Sequence, residues 1–143
     1  RPGTAVNAVA AFFPPTDLVD YGGAHLDRYS LEGLDVAGLL FRGGLTGRTQ
    51  PEILARLEEL SPFRAATGFH GQHPDAVPPP LLLFHGSADK LVPLSQSERL
   101  RDAWRSAGGD AELRVREGAD HAWTDNDAEL DQTAAWFAAR LGA

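Results

Sequence analysis

PPPLLLFHGSADKLVP, residues 78–93, is the stretch on which the fold turns. Leu81 to Phe84 is a short unbroken apolar run, bounded by three prolines before it and by His85-Gly86 after it. Such a run suits a strand buried on both faces of a mostly parallel sheet. Ser87 and Asp89 then emerge at the carboxyl end of a central strand, where open α/β sheets place their ligands. Asp89 is therefore the first candidate for chemistry.

Downstream, Ser95-Gln96-Ser97-Glu98 has the form of a capping box, and Leu100, Ala103, Trp104 and Ala107 share one helical face before Gly108-Gly109 stops it. Ala111 to Arg116 alternates apolar and charged residues, the pattern of a half-exposed strand near a sheet edge. The helical connection between the two strands has the length a parallel crossover requires. Gly118 to Trp123 then leads into a last helix, expected near 125–141, with Leu130, Ala134, Phe137 and Leu141 as its apolar face. His121 thus falls in a strand-to-helix loop, at the same sheet end as Asp89 and one crossover away. His85, at the strand end, reads as a buried, hydrogen-bonded structural histidine. Trp104, Trp136, Phe12 and Phe137 read as core, and Trp123 as either core or pocket wall.

Upstream, Ala5 to Phe13 is rich in small and β-favouring residues and halts at Pro14-Pro15, which reads as a strand. Asp17 follows directly, either as a cap or loop anchor or as a ligand contact. Glycines interrupt Tyr21 to Arg48 and no strong helix emerges there. Thr49-Gln50-Pro51-Glu52 forms a second box, and Ile53, Leu54, Leu57 and Leu60 predict a helix over 51–60 that Ser61-Pro62 ends. Thr67 to Pro80 reads as a polar loop. Its His70, His73 and Asp75 lack a fixed face and a fourth ligand, so the reading is an exposed loop with no metal.

At 143 residues and 43% hydrophobic content, the chain is expected to form one domain, 1–143, around one core. Its 13 basic and 20 acidic residues give a net charge of -7 with no Lys/Arg cluster, which argues against a nucleic-acid or anionic-membrane partner. Cysteine is absent, so disulfides and thiolate chemistry are excluded, and no apolar run approaches a membrane span. The lack of cysteine is compatible with cytoplasm without assigning a compartment. No cofactor is called for.

Asp89 followed by His121 is the chain order of the acid and base in the second half of a Ser, Asp, His triad, where the carboxylate holds the imidazole's tautomer. The run His85-Gly86-Ser87-Ala88-Asp89-Lys90-Leu91-Val92-Pro93, with Gly118-Ala119-Asp120-His121 after it, resembles the C-terminal half of an α/β-hydrolase. The likeness extends over nearly the whole chain and is nearest to the esterase/lipase branch, feruloyl-esterase-like or hormone-sensitive-lipase-like. It implies an α/β fold with a short, mostly parallel sheet of about three strands flanked by helices, Asp89 as triad acid and His121 as triad base, and a carboxylic ester as substrate. Pro15-Thr16-Asp17-Leu18 resembles a turn of that branch near the active site, which would put Asp17, with Trp123, beside the substrate.

Two departures stand out. Ala122 follows the histidine where the family usually has glycine, and no serine of the chain sits in a Gly-x-Ser-x-Gly elbow. The resemblance therefore implies a parent serine hydrolase whose nucleophile and oxyanion loop precede Arg1, with these residues inactive alone. The same signatures fit a serine peptidase of the prolyl-oligopeptidase type, and the missing serine fits a non-catalytic interaction domain of the same descent. With no neighbour on one side, the Ala5 to Phe13 edge is expected to promote homo-oligomers.

Overall fold

A computed structural model describes residues 6–22, 40–42 and 44–142 of the chain. Three parallel strands run in the order β1 (Val9–Phe12), β2 (Leu81–Gly86) and β3 (Ala111–Arg116). Val9 pairs with Leu81 and Leu81 with Ala111, so the three strands start level and end at one edge. The first strand is shorter than the run read as strand, whose opening residue lies outside the described residues, as does most of the glycine-interrupted segment.

All six residues of β2 are buried, as an apolar run in mid-sheet should be. Its side chains alternate between two layers. Leu81 and Leu83 pack with Ala66, Leu100 and Ala111, against the helix α4 (Ser95–Ser106), while Leu82 and Phe84 pack with Trp136 of α5 (Asp127–Leu141). Each fully buried leucine stabilises the fold by about 2 kcal/mol. A third cluster, Leu18, Phe41, Ile53 and Leu57, anchors α1 (Gln50–Leu60), where Thr49 N–H donates to Glu52 Oε2 at 2.7 Å as the capping box requires.

Four readings need correction. Ser61-Pro62 ends α1 but Pro62 also opens α2 (Pro62–Thr67), proline being favoured in a first turn, and α3 (Phe69–Gln72) occupies part of the expected loop. The box at Ser95 to Glu98 does not form: Leu94, with φ -51° and ψ -33°, is the cap residue, and Gln96 and Ser97 turn inward to bond other elements. The last helix begins two residues late, at Asp127. Its buried face is Trp136 with half-buried Phe137, while Leu130 and Leu141 stay 50% and 52% exposed. Among the described residues no helix is long and apolar enough to cross a membrane.

Candidate active site

The carboxyl ends of β2 and β3 carry two loops laid against each other. Ser87 N–H extends the pairing to Arg116 O at 3.0 Å, Ala88 N–H donates to Ala119 O at 3.0 Å, and Gly118 N–H donates to Ser87 Oγ at 2.8 Å. Gly86 makes this approach possible. A Cβ there would run into the Ala119 carbonyl and lie 3.1 Å from Asp120 O.

Within the first loop Asp89 folds back on its own turn. Its Oδ1 accepts the Leu91 and Val92 N–H groups at 2.9 and 2.8 Å, the bonding habit that makes aspartate a turn residue. Oδ2 then faces His121 Nδ1 at 2.9 Å and His85 Nε2 at 3.4 Å. The Asp89 side chain is fully buried and that of His121 is 24% exposed. Because the carboxylate accepts, Nδ1 of His121 carries the proton and Nε2 is left as the basic nitrogen.

His85 is a structural member of the same group. Val92 O, 2.9 Å from Nε2, can only accept, so Nε2 donates and Nδ1 accepts from the Ser97 hydroxyl at 2.7 Å. Tyr21 steadies the turn from the other side by donating its hydroxyl to Leu91 O at 2.9 Å. Burial, reinforced by the nearby Asp89 charge, pushes its phenol up to about 12.

The base loop has its own fastening. Asp120 Oδ1 accepts the N–H groups of Lys90 and His121 at 2.9 and 2.8 Å, and Oδ2 lies 3.1 Å from Lys90 Nζ. The Lys90 N–H bond, then the His121 N–H bond and the lysine ammonium, hold its carboxyl down at about 2. Ala122 takes φ 52°, the left-handed conformation that glycine adopts most easily. Phe13, with φ 39°, turns its ring onto His121 at 4.5 Å between centroids and onto Trp123 at 5.3 Å. A pocket of about 470 Å³, lined by Lys90, Leu91, Asp120 and His121, opens beside the exposed imidazole.

Trp123 is half-buried, packed on the Leu82, Phe84 and Trp136 cluster with its ring toward Phe13. Asp17 is not among the residues that line this pocket. Its buried carboxylate is ion-paired to Arg99 at 2.6 Å and Arg64 at 3.2 Å, and Oδ1 accepts the Val19 and Asp20 N–H groups, the loop-anchor role. Burial pushes its carboxyl up, but the Asp20 N–H and the two guanidiniums outweigh that and the net direction is down. Gln96 Oε1 accepts the N–H groups of Thr16 and Asp17 at 3.0 and 2.7 Å, fastening the same turn to α4. Phe13, Tyr21, Gln96 and Asp120 were not apparent as site-building residues in the sequence, because each acts across the fold or through backbone groups. For Asp120 alone a signal stood adjacent, in its place just before the histidine.

Several known proteins resemble this chain in fold. A truncated carbohydrate esterase from gut microbiota superposes with TM-score 0.70 over 99% of this chain and 45% of its own, at 22% identity, a likeness of fold. The thermophilic esterase of Thermogutta terrifontis, with propionate bound, matches at TM-score 0.56 and 26% identity over 95% of this chain and 43% of its own. A puromycin-hydrolyzing peptidase of Mycobacterium tuberculosis matches at TM-score 0.67 and 25% identity over 95% of this chain and 18% of its own. The chain thus spans less than half the length of these solved structures. Its residues 41–143, which include both loops and all of β2, α4, β3 and α5, match one family throughout, and with the parallel sheet and the likeness to esterases this shows that the chain belongs to the prolyl oligopeptidase family of the α/β-hydrolase superfamily.

Proposed function

We propose that this chain is the acid- and base-bearing part of a single α/β-hydrolase domain that cleaves carboxylic esters. The observation that carries the proposal is the 2.9 Å bond from His121 Nδ1 to a buried Asp89 carboxylate, with the imidazole reaching an open pocket. In this reading a serine hydroxyl from outside these residues attacks the ester carbonyl and gives its proton to His121 Nε2 as the new C–O bond forms. The imidazolium returns that proton to the departing alkoxide as the ester bond breaks. Water then repeats both steps on the acyl-enzyme, while Asp89 holds the ring and balances its transient positive charge. Trp123 and Phe13 would form an apolar wall near His121, with Trp123 contacting substrate.

The propionate-bound Thermogutta esterase supports an ester with a short acyl chain. A second reading, a serine peptidase, is supported by the family match and by the mycobacterial peptidase. The test is to assay the full-length polypeptide on p-nitrophenyl acetate and butyrate and on peptide p-nitroanilides. Asp89→Asn is expected to lower kcat about 10⁴-fold through the wrong imidazole tautomer, and His121→Ala by at least as much. Turnover of anilides alone would favour the peptidase. A full-length polypeptide inert on both substrate classes would leave a non-catalytic interaction domain. Residues 1–143 by themselves are expected to be inert. We also propose self-association through the edge of β1, which among the described residues pairs with β2 alone.

A further inference from the structure

We propose that Asp120 is a positioning residue: one of its carboxylate oxygens bridges the loop of Asp89 to the loop of His121 and thereby sets the distance between acid and base. The inference rests on the acid and base roles given above. Asp120 Oδ1 accepts from Lys90 N–H at 2.9 Å and from His121 N–H at 2.8 Å, and these are the backbone groups of the residue directly after Asp89 and of His121 itself. A single atom therefore restrains the main chain both at His121 and at the residue directly after Asp89. The Ala88 N–H to Ala119 O bond holds the same two loops, but it acts two residues before His121.

Geometry makes Asp120 more than a surface ion pair. Its salt bridge to the Lys90 ammonium joins two exposed side chains, 85% and 49% accessible, an arrangement that contributes little on its own. The backbone bonds are different, since each restrains a loop and charge strengthens both. Without them, the imidazole can drift from Asp89 by fractions of an ångström while the fold persists. A displacement of about 1 Å at a reacting group is enough to lower a rate about 100-fold.

The test uses the full-length polypeptide with p-nitrophenyl butyrate, comparing Asp120→Ala and Asp120→Asn with Asp89→Asn and His121→Ala. Asp120→Ala is expected to lower kcat about 10- to 100-fold with KM changed less than about 3-fold, because orientation rather than ground-state binding is lost. Asp120→Asn removes the charge but keeps an Oδ1 acceptor, and should recover kcat to within about 5-fold of wild type. Backbone amide exchange at Lys90 and His121 should accelerate in the alanine variant and much less in the asparagine variant. If the alanine variant does not accumulate folded, Asp120→Ser, too short to span both amides, takes its place with the same expectation. Wild-type kcat in Asp120→Ala, with Asp89→Asn and His121→Ala inert, overturns the bridging role and leaves the acid and base assignment standing. Asparagine falling as far as alanine also overturns it, since charge and not the bridge would then matter. Activity in Asp89→Asn and His121→Ala would instead remove the reading on which the inference rests.

Discussion

Asp89 presents one oxygen to His121 because its own turn occupies the other, so the carboxylate cannot rotate without giving up two backbone bonds. Tyr21 adds a third restraint on that turn through Leu91 O. Its phenol, raised from 10.0 to about 12, favours the neutral form in the folded protein. The stabilisation it contributes is therefore complete below pH 10 and is lost as pH rises toward about 12, when the unfolded chain ionises first. Tyrosinate absorbance during alkaline titration should show a late component that Tyr21→Phe removes, and that variant should lose about 1 kcal/mol at neutral pH in urea unfolding. An ordinary titration of Tyr21 would show that burial at this position is weaker than described. The meeting of Asp89 and His121 was legible at this scale because each follows a strand at the same end of the sheet. Asp17 was half legible: its placement after a strand was clear, but the two arginines that enclose it come from positions 64 and 99, far along the chain.

At the scale of elements, periodicity located the strands and longer helices but misjudged one helix face. Apolar spacing on α5 selects Leu130, Ala134, Phe137 and Leu141. The sheet is met instead by a mixed face, where Trp136 Nε1 donates to Glu112 Oε1 at 2.8 Å, Arg140 pairs with Glu112 at 2.7 Å, and Arg116 approaches Glu129 at 3.5 Å. Charged partners on β3 recruit polar helix residues, a preference that an apolar count does not register. The lost capping box has a similar origin, since Gln96 and Ser97 are committed to Thr16, Asp17 and His85. The junction of the two loops at Gly86 allows a sharper test. Gly86→Ala must displace the Ala119 and Asp120 backbone, at a cost of about 1–3 kcal/mol. Its urea midpoint should fall, and ester turnover by the full-length polypeptide should fall with it; an unchanged midpoint would mean that the base loop moves aside freely.

For the whole molecule, the fold class was readable because a short apolar run, a helical crossover and an alternating strand permit few arrangements. The surface is less balanced than the core. Val6, Leu130 and Leu141 are 59%, 50% and 52% exposed, and β1 offers its outer backbone groups without a described partner. Sedimentation of residues 1–143 over a concentration series is expected to show dimers or larger species, and Ala10→Pro, at a residue whose N–H points away from β2, should reduce them if the edge is responsible. A monomer at high concentration would count against that edge as an interface.

Among the described residues, every hydrogen bond on the Asp89 and Asp120 carboxylates, and the one that sets the His121 tautomer, begins and ends between residues 85 and 121. The contact between Asp89 and His121 is thus held mainly by a contiguous cassette of sequence, with Tyr21 and Phe13 bracing it from outside. Such a cassette can be inherited intact while the rest of a protein changes its choice of substrate.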